Sequence, residues 1–242
     1  SFKLLDGQKG FFDSDQIIQA INPKNFYHSP MTKLVSLENT TNKGGGYCWD
    51  ISEFEKIQKV CKENDLGLHM DGARIWNSII AMNNDPKIYG NFFDTISVCL
   101  SKGLGCPIGS VLVGKGKVME KAIRVRKILG GGMRQVGYLA AAGLYALQNN
   151  INRLSDDHRR AKEIAKKFSS KDIVNKINSV ETNIIIIELN KSVNKQQIIN
   201  HFTNHNVIFD WYSMGVQKIR IVTHLDYSEK DHEVLMEIVD KL

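Results

Sequence analysis

Between residues 33 and 114, short apolar, β-branched runs alternate with stretches whose apolar residues recur every three or four positions. "KLVSL" (33–37), "LGLHMDGA" (66–73), "FDTISVCL" (93–100) and "GSVLVG" (109–114) have the length and residue types of strands, and "DISEFEKIQKVCKEN" (50–64) reads as a helix between the first two. Strands divided by helices predict a largely parallel α/β sheet. Helices follow at 117–129, at 136–150 and at 152–168; the alanine-rich "VGYLAAAGLYALQNN" (136–150) is expected to be buried. The third of these helices carries Leu154, His158, Ala161, Ala165 and Phe168 on one face, so His158 reads as a boundary residue and not a ligand. Beyond Phe168 come "NIIIIEL" (183–189), a helix near 194–204, "VIFDWY" (207–212), "QKIRIVTHL" (217–225) and a last helix from Ser228. That pattern predicts a small α+β unit, with a large domain over residues 1–150 and a small one over 151–242. There are no internal repeats.

Composition narrows the function classes. At 242 residues and 42% apolar content the chain can bury a substantial core, as one domain or as a large and a small one. The net charge of +6 invites a nucleic-acid or anionic-membrane reading. However, the basic residues are scattered, and the densest run, "KGKVMEKAIRVRK" (115–127), sets Val118, Ala122, Val125 and Leu129 at helical spacing, which makes its cations the wet side of an amphipathic helix. Without interleaved aromatics or a recognised module, no nucleic-acid partner is expected. Cys48, Cys61, Cys99 and Cys106 form no CxxC pair, and no apolar run approaches membrane-spanning length. Asn39-Thr40-Thr41 is formally a glycosylation sequon with no signal peptide before it. A reducing, cytoplasmic setting without membrane partners is the expectation. The opening "SFKLLDGQKGFF" reads as the middle of a domain, so the large domain is expected to be N-terminally incomplete.

The chemistry-bearing stretch is "DTISVCLSKGLGCPIGSVLVG" (94–114), where an apolar strand ends at Ser101-Lys102 and runs into Gly103, Gly105 and Gly109. It is not a P-loop, which needs Lys-Ser/Thr directly after its last glycine and then a helix, and it is not a dinucleotide fingerprint, whose glycines open a helix. A lysine at the mouth of an apolar strand, beside glycines that permit close approach, is a candidate imine-forming nucleophile; the plain alternative is a solvated surface charge. In open α/β sheets ligands bind beyond the carboxyl ends of the strands. Glu38-Asn39-Thr40, Asp71-Gly72-Ala73-Arg74 and Ser101-Lys102 all fall there. An imine on a pyridoxal ring needs the ring to withdraw electrons, and a carboxylate beside the pyridine nitrogen keeps that nitrogen protonated; Asp71, one strand from Lys102, can supply it. Asp71 could instead cap a helix beginning near Ala73. His69 and Asp71 share a strand face, but no third ligand suits a metal, and none is expected. Arg74 and Arg134 could be surface charges, whereas Arg220 interrupts the apolar "IRIVTH", where arginine usually grips a carboxylate or phosphate.

Five ordered blocks carry a resemblance over nearly the whole chain: "LVSLENTTNKGGG", "LHMDGARIWN", "SVCLSKGLGCPIGSVLVG", "RKILGGGMRQVGYLAAAGLYAL" and "IRIVTHLD". Together they resemble the low-specificity L-threonine aldolases, pyridoxal 5′-phosphate enzymes of fold type I, the aspartate-aminotransferase-like architecture. The resemblance implies that Lys102 forms the imine with the cofactor and that Asp71 pairs with the pyridinium nitrogen. It places Arg74 near the phenolic oxygen and the substrate carboxylate, which Arg220 also clamps. Arg134 would reach the phosphate or the rim of the site, in some assemblies from a neighbouring subunit, and His28 would stand near the substrate hydroxyl. The family often has histidine where this chain has Thr41, and its phosphate-binding turn and ring-stacking residue have no counterpart here. The implied reaction is retro-aldol cleavage of L-threonine or L-allo-threonine to glycine and acetaldehyde in a homodimer or homotetramer. A serine hydroxymethyltransferase, marked by folate dependence, a β-eliminating lyase, marked by release of ammonia and a keto acid, and a non-catalytic scaffold without cofactor are the alternatives.

Overall fold

The computed structural model describes residues 1–242. Its first sheet holds β1 (Leu34–Glu38), β2 (Gly67–Gly72), β3 (Thr95–Cys99) and β4 (Ser110–Gly114) in that order. β1 to β3 are parallel and β4 is antiparallel, so the expected largely parallel sheet is present with a reversed edge. Register sets Glu38 beside Asp71, and Asp71 beside Ser97. The carboxyl ends of three strands therefore open on one edge. α1 (Ser14–Ala20), α2 (Ile51–Glu63), α3 (Ile75–Met82) and α4 (Pro86–Phe92) pack around this sheet. Asp50 begins α2 by accepting the Ser52 N–H, and Asp85 begins α4 by accepting that of Lys87, each satisfying a donor that the first turn leaves free. Phe54, Ile57 and Met70 are fully buried in the core between them, each contributing about 1.5–3 kcal/mol by its removal from water.

The second sheet, in the order β5 (Val174–Ile177), β6 (Ile184–Leu189), β7 (Lys218–Val222), is antiparallel throughout. α7 (Leu154–Ser169), α8 (Lys195–Thr203) and α9 (Glu229–Asp240) cover it, and Phe168, Phe202, Ile185 and Val239 close a second core. Ser228 caps α9 through a reciprocal bond with Asp231, which fixes the start of the last helix at the expected residue. The strand expected at 207–212 is absent apart from a single bridge between Asp210 and Arg220. Its backbone is drawn elsewhere: the Lys195 ammonium donates to the carbonyls of Trp211, Gly215 and Lys218, and the Asp210 carboxylate accepts both the N–H and the hydroxyl of Ser213. No helix is long and apolar enough to cross a membrane.

Two helical expectations need correction. α6 (Gly137–Asn149) is not buried; only Gly143 and Ala146 are, and Tyr138 is 92% exposed. α5 (Gly116–Ile128) buries no residue, so the apolar stripe of this amphipathic helix is uncovered, as is all of β4. α6 packs through Ala146 and α5 touches β4, but Ile128, Leu129, Tyr138 and Leu144 remain exposed, with no element of this chain covering them.

His158 on α7 is buried and donates its Nε2–H to Asn77 Oδ1 at 3.1 Å, joining α7 to α3. Burial, helped by the nearby Lys162 charge, pushes its pKa down to about 4. The folded value is depressed, so the stabilisation is complete above pH 6.5 and declines as pH falls from there towards 4. We expect a loss on the order of 3 kcal/mol across that window. In the His158→Gln variant, chemical denaturation at several pH values should show a flatter profile; an unchanged slope would remove His158 as its source.

Candidate active site

Lys102 stands in the loop joining β3 to β4. Leu100 N–H donates to Gly109 O, Cys106 N–H to Leu100 O, and Gly105 N–H to Lys102 O at 2.9 Å, so the lysine rides on a closed turn. The glycines serve packing more than ligand approach. A Cβ on Gly103 would come within 2.7 Å of Leu154, and one on Gly105, whose φ is +73°, within 2.5 Å of Leu225. Gly109 has φ +105° with open space around it and is required for conformation alone. The turn rests on a small cluster of Leu104, Cys106, Ala146 and Leu154.

Lys102 lines a cavity of about 370 Å3 together with Arg74, Ser101, Asn183, His224 and Asp226. A second cavity, of about 600 Å3, shares Val222, His224 and Asp226 with it and includes Arg220. Arg74 enters from the turn after β2, where its own N–H donates to Asn39 O, and Arg220 from the middle of β7. Both guanidiniums donate to one atom, Asn42 Oδ1: Arg74 Nη1 at 3.3 Å and Arg220 Nη2 at 2.8 Å. Burial, followed by the neighbouring Arg220 charge, holds the Arg74 guanidinium below its ordinary value, while Glu38 opposes the shift. The only carboxylate paired with Arg220 is Asp210, at 3.7 Å. Two cations sharing one neutral oxygen form a site for an anion with two oxygens.

Asp71 stands exposed at the same sheet edge. Its Oδ1 accepts the Ala73 N–H at 3.0 Å, so the carboxylate does help the turn into α3, and Oδ2 remains for another donor. Asn183 is 3% exposed; its Nδ2 donates to Thr223 O at 2.9 Å while its Oδ1, in the cavity wall, has no partner. His224 Nδ1 accepts the Asp226 N–H at 3.2 Å, which leaves the neutral ring with its proton on Nε2. The structure does not bring the other two expected residues here. His28 lies exposed against Tyr27 in the loop that enters β1 at the edge opposite Glu38, and Arg134 is exposed between α5 and α6. Neither lines the two cavities, and Asp71 does not line them either: it stays at the sheet edge beside them. No three His, Cys, Asp or Glu side chains gather to hold a metal ion. Cys48 is inert, its thiol pushed up to about 12 by burial.

Sequence reasoning passed over Asn42, Asn183 and the His224–Asp226 pair. Asn183 and His224 carried a local signal, being polar residues at the ends of the apolar runs of β6 and β7; Asn42 carried none.

The donor set fits an aromatic aldehyde such as pyridoxal 5′-phosphate. It offers an amine for an imine and a half-buried guanidinium in the cavity and, at the neighbouring sheet edge, a carboxylate with a free oxygen for a pyridinium N–H. A mixed α/β sheet with a lysine loop at its carboxyl edge and a small antiparallel domain alongside defines the architecture of the fold-type-I enzymes. The structure of a Leishmania major threonine aldolase superposes with a TM-score of 0.82 at 20% identity over 98% of this chain and 69% of that one. A histidinol-phosphate aminotransferase from Clostridium acetobutylicum gives 0.66 at 13% identity over 95% and 67%. Within this fold the chain belongs to the beta-eliminating lyase family, whose profile matches residues 1–192. Among its relatives, low-specificity L-threonine aldolase 1 of Arabidopsis thaliana is 37% identical over 228 residues, 93% of this chain and 63% of the relative. The low specificity L-threonine aldolase of Escherichia coli K12 is 37% identical over 223 residues, 91% and 63%. The chain thus spans about 63% of the length of these relatives.

Proposed function

We propose that the chain is the greater part of a pyridoxal-phosphate-dependent aldehyde-lyase that cleaves L-threonine or L-allo-threonine to glycine and acetaldehyde. The observation that carries this reading is the pair Arg74 and Arg220 on one oxygen beside the Lys102 cavity. That arrangement suits an α-amino acid, held by its carboxylate with its amine directed to the place where Lys102 reacts. The cofactor supplies an electron sink for the pair released from the broken Cα–Cβ bond. Asp71 keeps the pyridinium proton in place. The two arginines bind the carboxylate before and during cleavage, so they orient the Cα–Cβ bond. By the family resemblance the β-hydroxyl proton passes to His28, which the loop at 22–33 would have to deliver to the cavity, and Arg134 would serve the phosphate. Four unpaired cysteines support a cytoplasmic setting, and the uncovered apolar residues of β4, α5 and α6 support a homo-oligomer.

The test is stoichiometric release of acetaldehyde and glycine from threonine by the cofactor-loaded chain. Ammonia with a keto acid instead would make it a β-eliminating lyase. Arg220→Leu is expected to raise KM for threonine and the apparent Kd for glycine by about 30-fold or more, the cost of removing one partner from a buried charged contact, with a smaller effect on kcat. Unchanged glycine affinity would take Arg220 out of the site.

A further inference from the structure

We propose that Asn42 is a positioning residue that sets Arg74 and Arg220 side by side so that one substrate carboxylate meets both. This rests on the reading of the two arginines as the carboxylate site. Like charges held this close repel, and they come from parts of the chain with separate cores, so something must fix their spacing without neutralising them. An amide oxygen has two lone-pair directions and no net charge, and Asn42 Oδ1 spends one on each guanidinium, at 3.3 and 2.8 Å. A carboxylate there would bind both arginines more strongly, cancel one of their two positive charges and compete with the substrate carboxylate for the same N–H groups.

Asn42 is itself held at both ends. Its N–H donates to Glu38 Oε2 at 2.8 Å, and its carbonyl accepts the Gly45 N–H at 3.3 Å. The segment that follows is tied to the small domain: Gly46 O accepts the Thr182 hydroxyl at 2.6 Å, and the Cys48 N–H donates to Glu181 Oε2 at 2.8 Å. Segment 41–48 is therefore a strap anchored on the end of β1 and on the entrance to β6, and Asn42 uses that anchorage to place its oxygen between the arginines. The role is distinct from binding: Asn42 acts through Arg74 and Arg220.

The experiment compares Asn42→Asp and Asn42→Ala in the cofactor-loaded chain. In Asn42→Asp, apparent glycine affinity should fall by about 100-fold, since a charge-assisted bond to each arginine now competes with the substrate, and Asn42→Ala should lose about 10-fold. The loss should appear in KM for threonine far more than in kcat, and Asn42→Asp should melt no lower than Asn42→Ala. Undiminished glycine affinity in Asn42→Asp, or a fall in kcat at constant KM, would overturn the assignment. A second readout is independent of catalysis: acetate titration of the cofactor-free chain, followed by the NMR signals of the Arg74 and Arg220 Nε–H groups. Both signals should move together, with one dissociation constant, in the wild type and stay still in Asn42→Asp. Equal movement in both proteins would sink the inference even if threonine is cleaved. If threonine is not cleaved but acetate discriminates the two proteins, the role of Asn42 stands and the proposed reaction falls.

Discussion

The Lys102→Ala variant is expected to fold, to bind pyridoxal 5′-phosphate without a borohydride-stable link, and to lose activity by at least about a thousandfold, as when a covalent nucleophile is removed. Folding should survive because the side chain is exposed and the turn that carries it is closed by backbone bonds, Gly105 N–H to Lys102 O and Cys106 N–H to Leu100 O. Removal of an exposed side chain of this kind usually changes stability by no more than about 0.5 kcal/mol. Activity should go because Lys102 is the only lysine lining the cavity that holds Arg74. Reduction with borohydride followed by peptide mapping gives the direct measurement. A reduced cofactor found on a different lysine of the wild type would overturn the assignment, as would near-normal turnover in Lys102→Ala.

Asp71→Asn separates the turn contact that the structure shows from the pyridinium pairing proposed above. Oδ1 accepts the Ala73 N–H at 3.0 Å, a bond that an asparagine oxygen can also accept, so the turn into α3 is retained. The negative charge is not retained. On the proposed role, the pyridine nitrogen would lose the group that keeps it protonated, and the electron sink would weaken in the transition state more than in the ground state. A fall in kcat on the order of 10²–10³ is expected, comparable to the loss of one preorganised electrostatic group, with little change in melting temperature. A rate close to wild type would reduce Asp71 to a turn residue.

Legibility of the fold tracked the range of the interactions involved. β1, β2, α2 and the start of α9 could be read directly because an apolar period or a capping residue within a few positions determines them. The stretch 207–212 looked like a strand by composition, yet its Trp211 carbonyl is captured by Lys195, more than a dozen residues earlier, together with those of Gly215 and Lys218 just beyond it. β5 has only two of its four residues partly covered, and its short, half-polar "VNKI" carries little period to read. α6 is rich in alanine, and composition reports an affinity for burial, not whether a neighbour exists to provide it. In the site, Lys102, Asp71 and Arg74 stood out because strand ends and glycine turns mark them locally. Asn42 could not, since one of its two partners lies 178 residues away and asparagine in a polar, glycine-rich loop is unremarked.

The packing of Gly103 against Leu154 and of Gly105 against Leu225 limits how the Lys102 loop could be redesigned. Diversity is constrained at Gly105 by its left-handed backbone and at Gly103 by the buried Leu154 side chain, which a methyl group there would meet at 2.7 Å. The wall opposite tolerates more: His224 and Asp226 contribute side chains to the cavity with no such constraint. If the proposed reaction holds, an engineer seeking a different aldehyde would therefore vary the His224–Asp226 wall and leave the lysine loop untouched. The leucines that press on the glycines are in effect a mould for the loop, and any exchange at Leu225 should be paired with a matching change in that mould.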